Sequence, residues 1–166
     1  MISDAQLIAL SSSVGVYLRD RDLRLVSAES CTGGWIGKAL TDVAGSSAWY
    51  LGGAVSYSNS LKQSLVGVRP TTLAAHGAVS EATAREMALG ALNAFGGQIA
   101  VAVTGIAGPD GGQPGKPVGT VWFAWAWHHA SEVEIRVAHD VFAGNREAVR
   151  RATVDRALSE ILRLEL

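Results

Sequence analysis

A single cysteine in 166 residues, Cys31, excludes an intrachain disulfide, so nothing staples the chain covalently. Charge is scarce as well. Charged residues make up 17% of the chain and the formal net charge is -1, with no long run of either sign. Nucleic-acid binding ordinarily leaves a basic patch, and its lack argues against such a partner. Long apolar runs are also missing: the longest, Thr120 to Trp127, is too short to span a bilayer. The start, MISDAQLIAL, lacks the basic lead of a secretory signal. Together these absences predict a soluble cytoplasmic protein with neither membrane nor nucleic acid as partner. Core material, by contrast, is plentiful. Hydrophobic residues reach 48%, and the length suits one domain, 1–166.

The patterning alternates helix and strand. Apolar positions at Leu7, Ile8, Leu10, Val14 and Leu18 predict a helix over 4–19 capped by Ser3 or Asp4. A strand over 23–28 follows, then a helix through GGWIGKALTDVA capped by Thr32 or Ser30 and stopped at Gly45. Residues 52–58 read as a strand, Asn59 opens a short helix carrying Lys62, and TTLAAHG is a helical turn ended by Gly77. Ser80 caps a strong helix former over 81–95. QIAVAVTG, 98–105, is apolar on both faces, as a central strand should be. Two alternating stretches, 120–129 and 132–142, predict a hairpin. Asn145 caps a last helix with an apolar stripe at Val149, Val154, Leu158 and Ile161. Interleaved helices and strands define an α/β fold, and the closing hairpin makes the sheet mixed.

In open α/β sheets ligands bind beyond the carboxyl ends of strands. Two loops stand there. Ser30-Cys31-Thr32-Gly33-Gly34 offers hydroxyls and amides at a helix start, suited to a phosphate or an oxyanion. Its plainer reading is a strand-to-helix turn with a hydroxyl cap. The glycine-rich stretch from Thr104 and Gly105 through Gly108 and Asp110 to Gly112 lets backbone approach a ligand closely. Neither loop fits a nucleotide fingerprint: no G-x-G-x-x-G follows a strand, and Pro117 stands where a P-loop needs Ser or Thr. A third cluster, residues 45–63, holds Ser46, Ser47, Tyr57, Ser58 and Lys62. A serine needs a base to attack, and a buried lysine can supply one in place of histidine. Spacing alone reads Lys62 as a solvated helix lysine and Cys31 as a small buried residue. The four histidines lack paired metal-ligand spacing. Trp122, Trp125 and Trp127 read as core first and as a stacking surface second.

Three blocks in this order carry a resemblance: AESCTGGWIGKALTDVAGSSAWYLGGAVSYSNSLKQSLVGV, HGAVSEATAREMA and TGIAGPDGGQPGKPVGTVWFA. Together they resemble the CinA C-terminal-domain family, over residues 5–160. The resemblance implies a single α/β domain whose mixed, mainly parallel sheet is flanked by helices. It implies hydrolysis of the carboxamide of nicotinamide mononucleotide, in pyridine-nucleotide recycling toward NAD, by a Ser/Lys dyad with no metal and no cofactor. Carried over, the lysine falls on Lys62 and the tyrosine on Tyr57. The serine of GSSAW falls on Ser47 and that of AESCTGG on Ser30. Ser47 is taken as the nucleophile, with Ser30 its rival. Tyr57, Ser30 or amides near Gly33 and Gly34 are expected to hold the oxyanion. Thr32, Thr104, Gly105, Gly108, Asp110 and Arg146 are expected to hold the nucleotide. A homodimer is implied too, with the 121–127 strand as a possible interface. The competing readings are a non-catalytic nucleotide-binding module and a hydrolase of another small amide.

Overall fold

The computed structural model describes residues 2–166. In chain order the elements are α1 (Asp4–Arg19), β1 (Leu25–Glu29), α2 (Trp35–Thr41), a short 3-10 turn (Ser46–Ala48), β2 (Tyr50–Val55), α3 (Asn59–Val66), α4 (Pro70–His76), α5 (Glu81–Phe95), β3 (Ile99–Gly105), β4 (Thr120–His129), β5 (Glu132–Val141) and α6 (Arg146–Ile161). The sheet order is β2-β1-β3-β4-β5. β2, β1 and β3 pair in parallel, and β4 alone runs against its neighbours.

Local chemistry explains most of the boundaries. Ser3 caps α1 in a reciprocal capping box with Gln6. Ser58, Ser80 and Asn145 cap α3, α5 and α6 through their side-chain oxygens. Gly67 and Gly96 end α3 and α5 in left-handed conformations. The start of α2 departs from expectation. Its N-cap is Gly34, which has no side chain to cap with, and neither Ser30 nor Thr32 fills that place. Asp42 closes α2, ahead of the expected stop at Gly45.

Two apolar layers sandwich the sheet. On one face Ile99, Val101 and Val103 of β3, with Val121, Phe123 and Trp125 of β4, pack against α1, α2 and α6. On the other, small residues meet small residues: Ala100, Ala102, Ala124 and Ala126 lie against Ala84, Ala88 and Ala91 of α5. That pairing lets α5 sit close to the strands. α3 then presses on α5 at Gly90, where a Cβ would fall 1.7 Å from the Val66 carbonyl oxygen. The helix that carries Lys62 is thereby fixed against the sheet.

The stripe Val121, Phe123, Trp125 and Trp127 is interior. Trp125 Nε1 donates to the Ala157 carbonyl of α6 at 3.0 Å. The stripe is core, in line with the first reading of Trp125 and Trp127, and the expectation of an interface on the 121–127 strand is corrected. In the hairpin β4 is core on this face, under the α1, α2 and α6 layer, while β5 stays largely exposed. Among the described residues no helix is long and apolar enough to cross a membrane.

Candidate active site

The three parallel strands end together at Glu29, Val55 and Gly105. Three loops leave from that edge, and they bring Ser30 and Lys62 into contact. Lys62 lies in the first turns of α3 and points back under the sheet edge, with only 1% of its surface exposed. Its Nζ lies 3.0 Å from Ser30 Oγ, 2.8 Å from the Ser56 carbonyl and 3.3 Å from the Tyr57 carbonyl. Among the described residues no carboxylate pairs with it. Burial without a counter-charge disfavours the ammonium, so the Lys62 pKa is pushed below that of an ordinary lysine. The solvated-lysine reading is thereby corrected.

The pair opens onto a cavity of about 180 Å³ lined by Ser30, Cys31, Tyr57, Lys62, Thr104 and Arg146, among others. Among the described residues no carboxylate lines it. Arg146, the first residue of α6, spans the mouth. Its guanidinium donates to the Tyr57 hydroxyl at 3.0 Å and to the Gly108 carbonyl at 2.8 Å. Gly108 has φ +80°, and a Cβ there would strike Val118 at 2.5 Å, so the glycine loop needs it. Gly105 lines the cavity wall. The Thr104 hydroxyl donates to the Ala78 carbonyl at 2.7 Å and closes the floor. Asp110 is exposed on the loop, outside the lining.

Ser47 is not part of this arrangement. It precedes β2, whereas Lys62 follows it, so the whole strand separates them. Six residues of strand span roughly 17–20 Å. The expectation that Ser47 attacks with Lys62 as base is corrected on this ground: closeness in sequence puts the two at opposite ends of one strand.

The SCTGG turn also differs from expectation. Its helix start is already filled by an anion of the protein itself, the Glu29 carboxylate. Glu29 is 2% exposed. It accepts hydrogen bonds from the Thr32 hydroxyl at 2.7 Å and from the amides of Gly34, Ile36 and Gly37 at 3.0, 3.0 and 2.8 Å. The Gly33 amide is spent on the Ser30 carbonyl at 3.1 Å. Thr32, Gly33 and Gly34 therefore shape the turn, and the Thr32 hydroxyl and the Gly33 and Gly34 amides are not free for a phosphate or an oxyanion. Gly33 and Gly34 adopt φ of 62° and 94°, which explains the glycine pair. The amides of Cys31 and Thr32, in contrast, donate to no other residue among the described residues.

Sequence reasoning missed Glu29 and Arg150. The signal for Glu29 was an acid closing a strand just ahead of a helix. The signal for Arg150 was its place one turn after Arg146, on the same face of α6. Arg150 donates to the carbonyls of Cys31 and Thr32 at 3.2 and 2.6 Å.

Cys31 lines the cavity but is chemically quiet. Burial pushes its thiol up to about 12. Thiol-specific alkylation at pH 8 is accordingly expected to be slow in the folded protein and fast after denaturation. Stoichiometric labelling of the native protein within minutes would contradict that. Among the described residues, His, Cys, Asp and Glu form no group of three that could hold a metal ion.

A buried lysine thus faces a serine hydroxyl at the carboxyl edge of the parallel strands of an α/β domain. The chain belongs to the CinA C-terminal domain family, whose model matches residues 7–164. It is 50% identical over 160 residues to the nicotinamide-nucleotide amidohydrolase PncC of Escherichia coli (strain K12), covering 96% of this chain and 95% of that protein. It is 47% identical over 158 residues to the nicotinamide-nucleotide amidohydrolase PncC of Pseudomonas putida, covering 95% and 96%. Among solved structures, the competence/damage inducible protein CihA from Agrobacterium tumefaciens superposes with a TM-score of 0.90 at 40% identity, over 100% of this chain and 98% of that one.

Proposed function

We propose that this protein hydrolyses the carboxamide of nicotinamide mononucleotide to nicotinate mononucleotide and ammonia, with Ser30 as nucleophile and Lys62 as general base. The observation that carries the proposal is the environment of Lys62 Nζ. Its three partners are two carbonyls, which only accept, and the Ser30 hydroxyl, which can also donate. A neutral amine has two N–H bonds and one lone pair. With both hydrogens on the Ser56 and Tyr57 carbonyls, the lone pair faces Ser30. Burial favours that neutral form. The relatives named nicotinamide-nucleotide amidohydrolase supply the substrate.

Attack proceeds as Lys62 takes the Ser30 proton and Oγ bonds to the amide carbon. Lys62 then returns the proton to the departing nitrogen, ammonia leaves, and an ester on Ser30 remains. Water activated by the same amine cleaves it, giving the carboxylate and restoring the serine. The Cys31 amide is a donor for the oxyanion, being next in chain to the nucleophile and unclaimed by any other residue. A cavity lacking carboxylates suits a phosphate, and Arg146 with Tyr57 is placed to receive it at the mouth. The product would rejoin pyridine-nucleotide synthesis toward NAD.

Purified protein is expected to release ammonia from nicotinamide mononucleotide and far less from the riboside, which lacks the phosphate. Arg146→Ala should raise KM for the nucleotide about 10- to 100-fold while leaving the slow riboside reaction unchanged, the loss of a charge-assisted phosphate contact. An equal effect on both substrates would remove Arg146 from phosphate binding. No ammonia from either substrate would overturn the proposed reaction.

A further inference from the structure

The proposed reaction needs a donor for the oxyanion, and the Cys31 amide is held in place by a residue outside the cavity. We infer that Arg150 is a positioning residue for that amide, acting through the backbone of the SCTGG turn. The inference rests on the amidase reading above and deepens it.

The connection runs through consecutive peptide groups. Arg150 Nη2 donates to the Thr32 carbonyl at 2.6 Å. The other end of that peptide is the Gly33 N–H, which donates to the Ser30 carbonyl at 3.1 Å. The other end of the Ser30 peptide is the Cys31 N–H, in a residue that lines the cavity next in chain to the nucleophile. Each hydrogen bond polarises the next peptide, so the guanidinium charge strengthens the final donor. Arg150 Nε holds the adjoining Cys31 carbonyl at 3.2 Å, which prevents that peptide from flipping. From the opposite side Glu29 takes the turn's Gly34 amide and the Thr32 hydroxyl. The turn is thus gripped by a cation on its carbonyls and an anion on its donors. A catalytic donor fixed before the charge develops costs no reorganisation during reaction.

Arg150 is itself set by packing. Its guanidinium lies 5.2 Å from the Trp35 ring centroid. A Cβ on Gly33 would meet Arg150 Nη2 at 3.4 Å, an ordinary contact, so the glycine is called for by its φ of +62° and not by the bridge. Lysine cannot reproduce the contact, because one ammonium replaces a planar fork that reaches two carbonyls.

The test is steady-state ammonia release from nicotinamide mononucleotide by parent, Arg150→Ala and Arg150→Lys, with and without added guanidinium ion. For Arg150→Ala, kcat should fall about 10- to 100-fold, less than loss of a whole oxyanion donor, with KM within about twofold. Guanidinium at non-denaturing concentration should recover a several-fold share of kcat in Arg150→Ala and none in the parent. Arg150→Lys should lose kcat without losing the melting temperature, which keeps the test open if the alanine variant folds poorly. A parental kcat in folded Arg150→Ala, or a kcat loss that tracks only the folded fraction and resists guanidinium, would overturn the inference. An inactive parent would instead overturn the amidase reading.

Discussion

Ser30→Ala is expected to lower ammonia release from nicotinamide mononucleotide by at least about 10³-fold, and Lys62→Met by a similar factor, as removal of nucleophile or base does elsewhere. The two groups act as one unit through the 3.0 Å contact between Nζ and Oγ. The double variant should therefore be no slower than the worse single one. Ser47→Ala should keep activity within about twofold, since Ser47 lies before β2 and Lys62 after it. The pH profile carries the same logic. Only the neutral amine accepts the serine proton, so kcat/KM should rise with pH through the Lys62 pKa. Burial sets that pKa below 10.5, so the acid limb should lie under the ordinary lysine range. The residual activity of Lys62→Met should lack that limb. Equal activity of Ser30→Ala and parent would move the nucleophile away from Ser30.

Glu29→Ala is expected to be the most destabilising single substitution near the site. The carboxylate is 2% exposed and accepts from three amides and one hydroxyl. Deleting it strands those donors in a dry interior and also removes the anion from the start of α2. A loss of about 3–5 kcal/mol follows from several unsatisfied buried donors. For a domain of this length that lowers the melting temperature by about 10 °C. Glu29→Gln keeps one acceptor oxygen and should lose less. Thermal melting followed by circular dichroism reads both. A midpoint for Glu29→Ala within about 2 °C of the parent would contradict this role for the carboxylate.

Much of the scaffold was legible in the sequence because its signals are local. Ser3, Ser80 and Asn145 announce helix starts through side-chain oxygens that bond within three residues. QIAVAVTG reads as a central strand because residues 99–103 are apolar at every step, and both faces are buried. The site was legible only in part. Lys62, Ser30, Tyr57 and Arg146 come together, yet they derive from three separate segments, and no spacing rule reports their meeting. Ser47 misled because its block abuts the lysine block in sequence, while β2 carries the chain away between them. Thr32 misled because a hydroxyl before a helix ordinarily caps it; here the hydroxyl donates to Glu29, and Glu29 does the capping. An acid in a strand reads as a surface residue until the amides that surround it are seen.

The central claim is that Ser30, deprotonated by Lys62, forms a covalent ester with the nicotinate mononucleotide acyl group. Rapid acid quench of the parent with nicotinamide mononucleotide, followed by intact-mass and peptide analysis, tests it most directly. The account predicts a transient adduct of the acyl group on the peptide that contains Ser30, absent from Ser30→Ala. An adduct on another residue, or full ammonia release by Ser30→Ala, would contradict it.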